Sequence, residues 1–216
     1  MSAKEVRHIH HLDSIPLLGP SDSGMSVVQA LKARRTIRDL SPEPIGLEAL
    51  STVLWAANGV NRPSGPFGLE GRTAGSASNS QEIEIYVALE TGAYLYDPVA
   101  GQLDPVSAAD IRPLARTPGQ TGIEFHAPVQ LIYIANIDRL DHTRGFDEPG
   151  LHDPDVQKAY AYVDMGLIAE NVQIICASLG LGAWLHNCDR KALTRALGLR
   201  PEQRVLFAQS VGKPGA

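Results

Sequence analysis

"EIEIYVALETGAYLYDPVAGQLDPV", residues 82–106, decides the fold class. Ile83, Ile85, Val87 and Leu89 alternate with Glu82, Glu84, Tyr86 and Ala88, which is the two-residue period of a strand with one buried face. Thr91-Gly92 reads as a hairpin turn into "AYLYD", and Pro98 to Gly101 as a second turn into "QLDPV". The stretch is therefore an antiparallel meander.

Working outward, a helix is expected around Ala108 to Ala115, and "PVQLIYIAN" (128–136) is an apolar run suited to a central strand. From Asp155 to Leu179 runs the longest helix pattern. Its apolar residues, Val163, Leu167, Ala169, Val172, Ile175, Cys176 and Leu179, spread widely enough around the axis for a largely buried helix. Gly180 ends it. A short strand near Ala183 to Leu185, a helix over 189–197 and the strand "RVLFAQSVG" (204–212) complete the chain. Upstream, Ser26 is a natural N-cap for a short helix carrying Val27, Val28, Ala30 and Leu31. Leu47, Leu50, Val53, Leu54 and Ala57 mark a second helix over 47–58, stopped at Asn58-Gly59. Both should pack on one core. Residues 60–81 are rich in Gly, Pro, Ser and Asn and read as a long loop. Without a strand-helix-strand rhythm, the expectation is an α+β fold: a mixed, mainly antiparallel sheet flanked by helices.

The chain of 216 residues, 44% hydrophobic and 20% charged, is ordinary for one globular core. A net charge of -5 with no basic stripe argues against a nucleic-acid partner. No apolar run approaches the roughly 20 residues of a membrane span, and no secretory signal opens the sequence. A soluble, cytoplasmic protein is expected, with an exported mature form left open. Cys176 and Cys188 lie in different local settings, so no disulfide framework is read and a reducing compartment is the default. Residues 1–25 form an expected extended arm before a single domain, 26–216. His8, His10 and His11 lack a carboxylate or cysteine partner at ligand spacing, so no metal site is assigned.

Two segments carry chemistry. "ARRTIRDL" (33–40) concentrates Arg34, Arg35 and Arg38 around Thr36. It is either a solvated helix end favoured by the macrodipole or a fork of donors for a phosphate. "GSASNSQ" (75–81) is either a polar turn or a platform of small and amide side chains that a planar heterocycle can approach. Neither a GxGxxG after a strand nor a Walker loop is present.

These segments, with "LKARRTIRDLSPEPIGLEALSTVLWAANGVNRP", "GSASNSQEIEIYVAL", "GAYLYDP", "ENVQIICASLGLGAWL" and "ALGLRPEQRVLFAQSVGKP", resemble the successive motifs of the nitroreductase family of FMN-dependent oxidoreductases over roughly residues 26–214. They look nearest the branch that includes the SagB-like azoline dehydrogenases. The resemblance implies that Arg34, Thr36 and Arg38, with Arg35 beside them, hold the FMN phosphate and ribityl chain, and that Arg38 reaches the flavin N1 and C2 edge or the adjoining ribityl. It implies that Gly75, Ser76, Ala77, Ser78 and Asn79 contact the isoalloxazine, with Gly75 where the family has proline. His186, Asn187 and Cys188 fall where backbone amides approach the reactive flavin edge, and Cys188 departs from the family's glycine. The basic residues that follow "VGxP" in the family are missing, which leaves Lys213 as a substitute. NAD(P)H is implied as electron donor, with a nitro, quinone or similar conjugated small-molecule acceptor. No catalytic side chain is required, because the cofactor carries the chemistry. The long helix, with Asn171 matching, is implied to form a homodimer. Oxidation of a specific substrate such as a peptide azoline, or non-catalytic flavin binding and storage, are the alternatives.

Overall fold

The computed structural model describes residues 12–117, 119–120, 126–145 and 150–215. The histidines at 8, 10 and 11 lie outside the described residues. In chain order the elements are β1 (Ile15–Pro16), α1 (Val27–Ala33), α2 (Leu47–Asn58), β2 (Val60–Arg62), β3 (Gly71–Arg72), β4 (Ile83–Leu89), β5 (Gly92–Asp97) and β6 (Gln102–Ser107). They continue with β7 (Val129–Asn136), α3 (Ile137–Asp141), α4 (Pro154–Ser178), β8 (Gly182–His186), α5 (Arg190–Ala196) and β9 (Gln203–Gly212).

The meander of 82–106 is present as β4, β5 and β6, with Leu89 opposite Gly92 across the first turn. Gly92 sits at φ +147°, where a Cβ would lie 2.4 Å from the Ser107 carbonyl oxygen, so the turn requires glycine. The sheet order is β1-β6-β5-β4-β7-β9-β8, and every pairing among the described residues is antiparallel. The arm contributes to it: Ile15 and Pro16 pair with Leu103 and Gln102.

Both faces of the sheet are covered. Ile85, Val87, Leu131 and Tyr133 pack with α2 and α4 through Leu54, Met165, Val172 and Cys176. Tyr86, Ala88, Ile132 and Ile134 pack with Ala115 and with Leu193 of α5. This corrects the reading of β4 as a strand with one wet face. Glu82, placed on that wet face by alternation, is 0% exposed.

α4 is the longest helix, 25 residues, about 37 Å at 1.5 Å per residue. Asp153 caps it by accepting the Asp155 and Val156 amides, and Pro154 occupies its first turn. Two readings change. Only Arg112–Ala115 of the expected 108–115 helix is helical, a single 3-10 turn whose Arg112 amide bonds the Asp110 carboxylate; Pro113 lacks the N–H that a longer helix needs. The loop 60–81 contains the β2–β3 pair and two further 3-10 turns, Pro66–Gly68 and Ala77–Asn79. α1 buries only Ala30 and leaves Val27, Val28 and Leu31 exposed. Among the described residues no helix is long and apolar enough to cross a membrane.

Leu131 lies fully buried in β7 between β4 and β9. Leu131→Ala is expected to cost about 2–5 kcal/mol, read as a lowered urea midpoint at unchanged slope.

Candidate flavin site

The arginine segment leaves α1 in an extended conformation and runs along the end of the β8–β9 pair. The Ile37 amide bonds the Ala183 carbonyl at 3.2 Å, Leu40 bridges Pro214, and the Ser41 amide bonds the Lys213 carbonyl at 2.9 Å. The approach is close enough that a Cβ on Gly182 would lie 2.6 Å from Leu40 Cδ2. Arg35, Thr36 and Arg38 are consequently displayed at the surface. Arg34 Nε stands 3.6 Å from Glu170 Oε1 of α4, and the Arg38 guanidinium lies 5.6 Å from the Trp184 ring centre, a cation–π separation. Among the described residues neither Arg35 nor Arg38 has an ion-pair partner. Two uncompensated guanidiniums flanking a hydroxyl suit a phosphate dianion. Lys213 is drawn to the segment by its backbone, but its ammonium pairs with Glu43 at 2.7 Å, and this contact holds the Glu43 carboxyl below its ordinary pKa.

The small-residue segment is held in an uncommon backbone shape. Ser78, Asn79 and Gln81 have φ of 48°, 56° and 53°, conformations that cost side-chain-bearing residues about 1–3 kcal/mol each and persist only when the surroundings fix them. The surroundings do so. The Ala77 amide donates to Asp164 Oδ2 of α4 at 2.8 Å. Asn79 Nδ2 donates to the Pro66 carbonyl at 3.2 Å, and Gln81 Nε2 to the Glu70 carbonyl at 2.7 Å. Gln81 Oε1 accepts from both Nε and a terminal nitrogen of Arg72, at 2.9 and 2.8 Å. Rigidity that a proline at 75 would lend is supplied here by side chains. Ser78 and Asn79 also line a cavity of about 350 Å³ with Phe67, Leu69, Arg139 and Arg144, so the 60–81 and 137–145 stretches meet over this segment.

The 186–188 turn divides three ways. His186 is buried, with one ring nitrogen 2.8 Å from the Ser210 hydroxyl and the other 3.0 Å from the Asn187 carbonyl; burial lowers its pKa. Cys188 packs in the core beside Leu193 and Ile134, and burial pushes its thiol up to about 11. Only Asn187 is exposed, accepting from Arg190 at 3.2 Å. Buried in an apolar cluster with a raised pKa, the Cys188 thiol lacks the activated setting that a nucleophile needs.

Two carboxyl groups under the 76–79 segment escaped the sequence reading. Glu82 accepts the Ser80 hydroxyl at 2.6 Å, and Asp164 accepts the Ala77 amide. Burial raises the pKa of both, that of Glu82 to about 7, and the neighbouring Asp164 charge adds to the Glu82 shift. The available signal was an aspartate set directly between Val163 and Met165 in a helix read as largely buried.

The arginines and the 76–79 segment touch α4 at Glu170 and Asp164 respectively. Six positions along a helix amount to about 9 Å of rise and about 240° of rotation. The two segments therefore lie against different faces of the same helix.

Comparison with known proteins gives this arrangement its class. The sequence profile of the nitroreductase family matches residues 31–213: the chain belongs to that family of oxidoreductases. A candidate nitroreductase of Methanocaldococcus jannaschii is 29% identical over 177 residues, covering 79% of this chain and 82% of that protein. The crystal structure of a candidate nitroreductase from Ralstonia eutropha superimposes with a TM-score of 0.82 at 33% identity, over 94% of this chain and 90% of the other. The Escherichia coli microcin synthetase McbBCD complex, solved with truncated pro-MccB17 bound, contains a chain with the same fold, at TM-score 0.67 and 15% identity, over 100% of this chain and 84% of that one.

With thiol pKa values pushed up by burial, to about 12 for Cys176 and about 11 for Cys188, neither cysteine has an appreciable thiolate fraction near neutral pH. Native protein treated with iodoacetamide should remain unmodified by mass spectrometry, and both thiols should react after denaturation.

Proposed function

We propose that the chain is an FMN-dependent oxidoreductase that takes two electrons from NAD(P)H and passes them to a nitro, quinone or similar conjugated acceptor. The observation that carries this reading is the display of Arg35, Thr36 and Arg38, uncompensated by any carboxylate among the described residues, on an extended segment beside β8. Arg34, Arg35, Thr36 and Arg38 would hold the phosphate and ribityl chain. Lys213 pairs with Glu43 only at the exposed surface, a weak contact that leaves it open to a further phosphate contact beside the arginines. Ser76, Ala77, Ser78 and Asn79 would support the isoalloxazine, and the 186–188 backbone would border its reactive edge, with the His186 and Cys188 side chains turned into the protein. Bound FMN would supply the two-electron redox chemistry between NAD(P)H and the acceptor, and a single place shared by both makes ping-pong kinetics the expectation. The protein's part would be to bind and orient the cofactor, with Arg38 offering a positive charge to the ring edge or the adjoining ribityl.

The site is proposed to be completed in a homodimer. Val163 and Leu167 of α4 are 59% and 48% exposed, and Val27, Val28 and Leu31 of the neighbouring α1 are exposed too. Exposed apolar side chains on two neighbouring helices suit an association face. A second copy would also bring the arginine segment of one chain and the 76–79 segment of the other to one cofactor, which the separation around α4 favours.

The motif resemblance leaves one other reading, oxidation of a specific substrate such as a peptide azoline, with which the shared fold of a chain of the microcin synthetase complex is compatible. The discriminating measurement is the flavin spectrum under anaerobic NADH or NADPH. Bleaching on donor addition and recovery on a nitroaromatic or quinone is the outcome expected here. A bound flavin that stays oxidised would shift the assignment to the dehydrogenase, or to a non-catalytic flavin store.

Arg38→Ala combined with Arg35→Ala should weaken FMN binding by at least about tenfold, the scale of losing one charge-assisted contact, while leaving circular dichroism unchanged; equal affinity would refute the phosphate assignment. Leu167→Glu should shift the protein from dimer to monomer in light scattering and reduce FMN retention with it.

A further inference from the structure

Next to the segment proposed to carry the flavin ring lies a pair of acids that hydride transfer does not use. Glu82 is fully buried; its Oε2 accepts the Ser80 hydroxyl, and its Oε1 has no hydrogen-bond partner. Asp164 of α4, 3% exposed, accepts the Ala77 amide through Oδ2; the Ser80 amide bonds the Ala77 carbonyl at 2.9 Å, so both carboxyls hold the same tight turn, and the Asp164 charge acts on Glu82. Two ionised carboxylates so placed would repel in a poorly screened interior, and Oε1 would stay unsatisfied. A single proton removes both penalties, since a protonated Glu82 becomes a donor and the Asp164 carboxylate can accept from it.

We propose that Glu82 and Asp164 work as one acid pair, sharing a proton, that positions residues 76–79 for the cofactor. The proposal rests on the flavin reading given above. Glu82 and Asp164 are positioning residues: they touch the supporting segment, through Ser80 and the Ala77 amide, and not the reacting atoms.

The groups acting on the pair fit this role. Asp164 is influenced by Glu82 and the Ala77 amide, and Glu82 by Asp164, the Ser80 hydroxyl and its own backbone. Arg72 of β3 and Arg139 of α3 reach the adjacent Gln81, but Arg72 is bound to the Gln81 side chain and Arg139 to the Gln81 carbonyl and the Glu84 carboxylate. Burial, reinforced by the Asp164 charge, holds the Glu82 proton until about pH 7, against an ordinary carboxyl value of 4.5. The sign follows: the unfolded chain loses this proton first, so the pair's contribution is complete below about 4.5 and is lost as pH rises through about 7.

The test compares wild type, E82Q and E82A. Glutamine keeps an acceptor for Ser80 and a donor for Asp164 and cannot titrate; alanine leaves Asp164 unpaired. FMN dissociation constants are measured by fluorescence quenching from about pH 6 to about pH 8.5, and melting temperatures of the flavin-free protein over the same range. The wild-type dissociation constant should match that of E82Q at the acid end and exceed it by about tenfold at the alkaline end, and E82A should bind weakly throughout. Taking the ratio to E82Q removes the titration of the FMN phosphate itself. The wild-type melting temperature should fall with pH relative to E82Q. Parallel wild-type and E82Q profiles in both measurements, or wild-type affinity in E82A, would overturn the pair while leaving the flavin reading intact. A relative fall in melting temperature with no FMN binding at any pH would overturn the flavin reading and the cofactor role of the pair, leaving a structural clamp.

Discussion

The hydrogen bond from the Ala77 amide to Asp164 spans 87 positions of sequence and fixes a strained loop to the helix that organises the molecule. Three residues around it hold positive φ without being glycine, and no local propensity would keep them there. α4 can offer the anchor because it is itself anchored: Met165, Ile168, Val172 and Cys176 sit in the main core against β4, β7 and β9. A carboxylate carried on such a helix is a rigid acceptor. The same helix reaches Arg34 through Glu170 and the Thr73 carbonyl through Asn171, the latter at 3.5 Å. The packing of α4 on the sheet therefore sets the position of the 76–79 segment, while the arginine segment is placed mainly by its backbone bonds to Ala183 and Lys213.

Rigidity on the other side of the loop comes from Gln81. Its amide is held by Arg72, Asn79 and the Glu70 carbonyl, while its own carbonyl receives Arg139. Each contact is worth about 1 kcal/mol alone, less than the cost of one strained residue at the upper end of its range. Their convergence on Gln81 and the nearby Asn79 is what makes the conformation single-valued. The backbone of the segment is thereby fixed within the unliganded chain.

The sheet was readable from the sequence because alternation in 83–89, turn chemistry at 91–92 and 98–101 and the apolar run of 128–136 all agree with the final pairing. The helices of 47–58 and 154–178 were readable for the same reason. Alternation misplaced Glu82 because that residue precedes the strand, and the left-handed turn at Gln81 breaks the extended register on which the count depends. Periodicity identified the apolar stripe of α1 correctly, but it cannot say what covers a stripe, and Val27, Val28 and Leu31 are uncovered within one chain. The candidate site was legible as two segments. Their disposition around α4, and the acids that fix one of them, depend on contacts between residues far apart in sequence.

The placement of the segments on different faces of α4 has a thermodynamic consequence for the proposed assembly. If each cofactor draws its phosphate contacts from one copy and its ring contacts from another, binding FMN and pairing the chains are linked equilibria, and each must strengthen the other by the same factor. The exposed stripe of α1 and α4 then carries less of the association energy than its area suggests, because part of that energy arrives with the cofactor. A charge in the middle of the stripe, at Leu167, acts on both equilibria, whereas removal of Arg35 and Arg38 acts first on the cofactor and only through it on the dimer. The order in which the two properties fail distinguishes a site shared between chains from one that each chain completes alone.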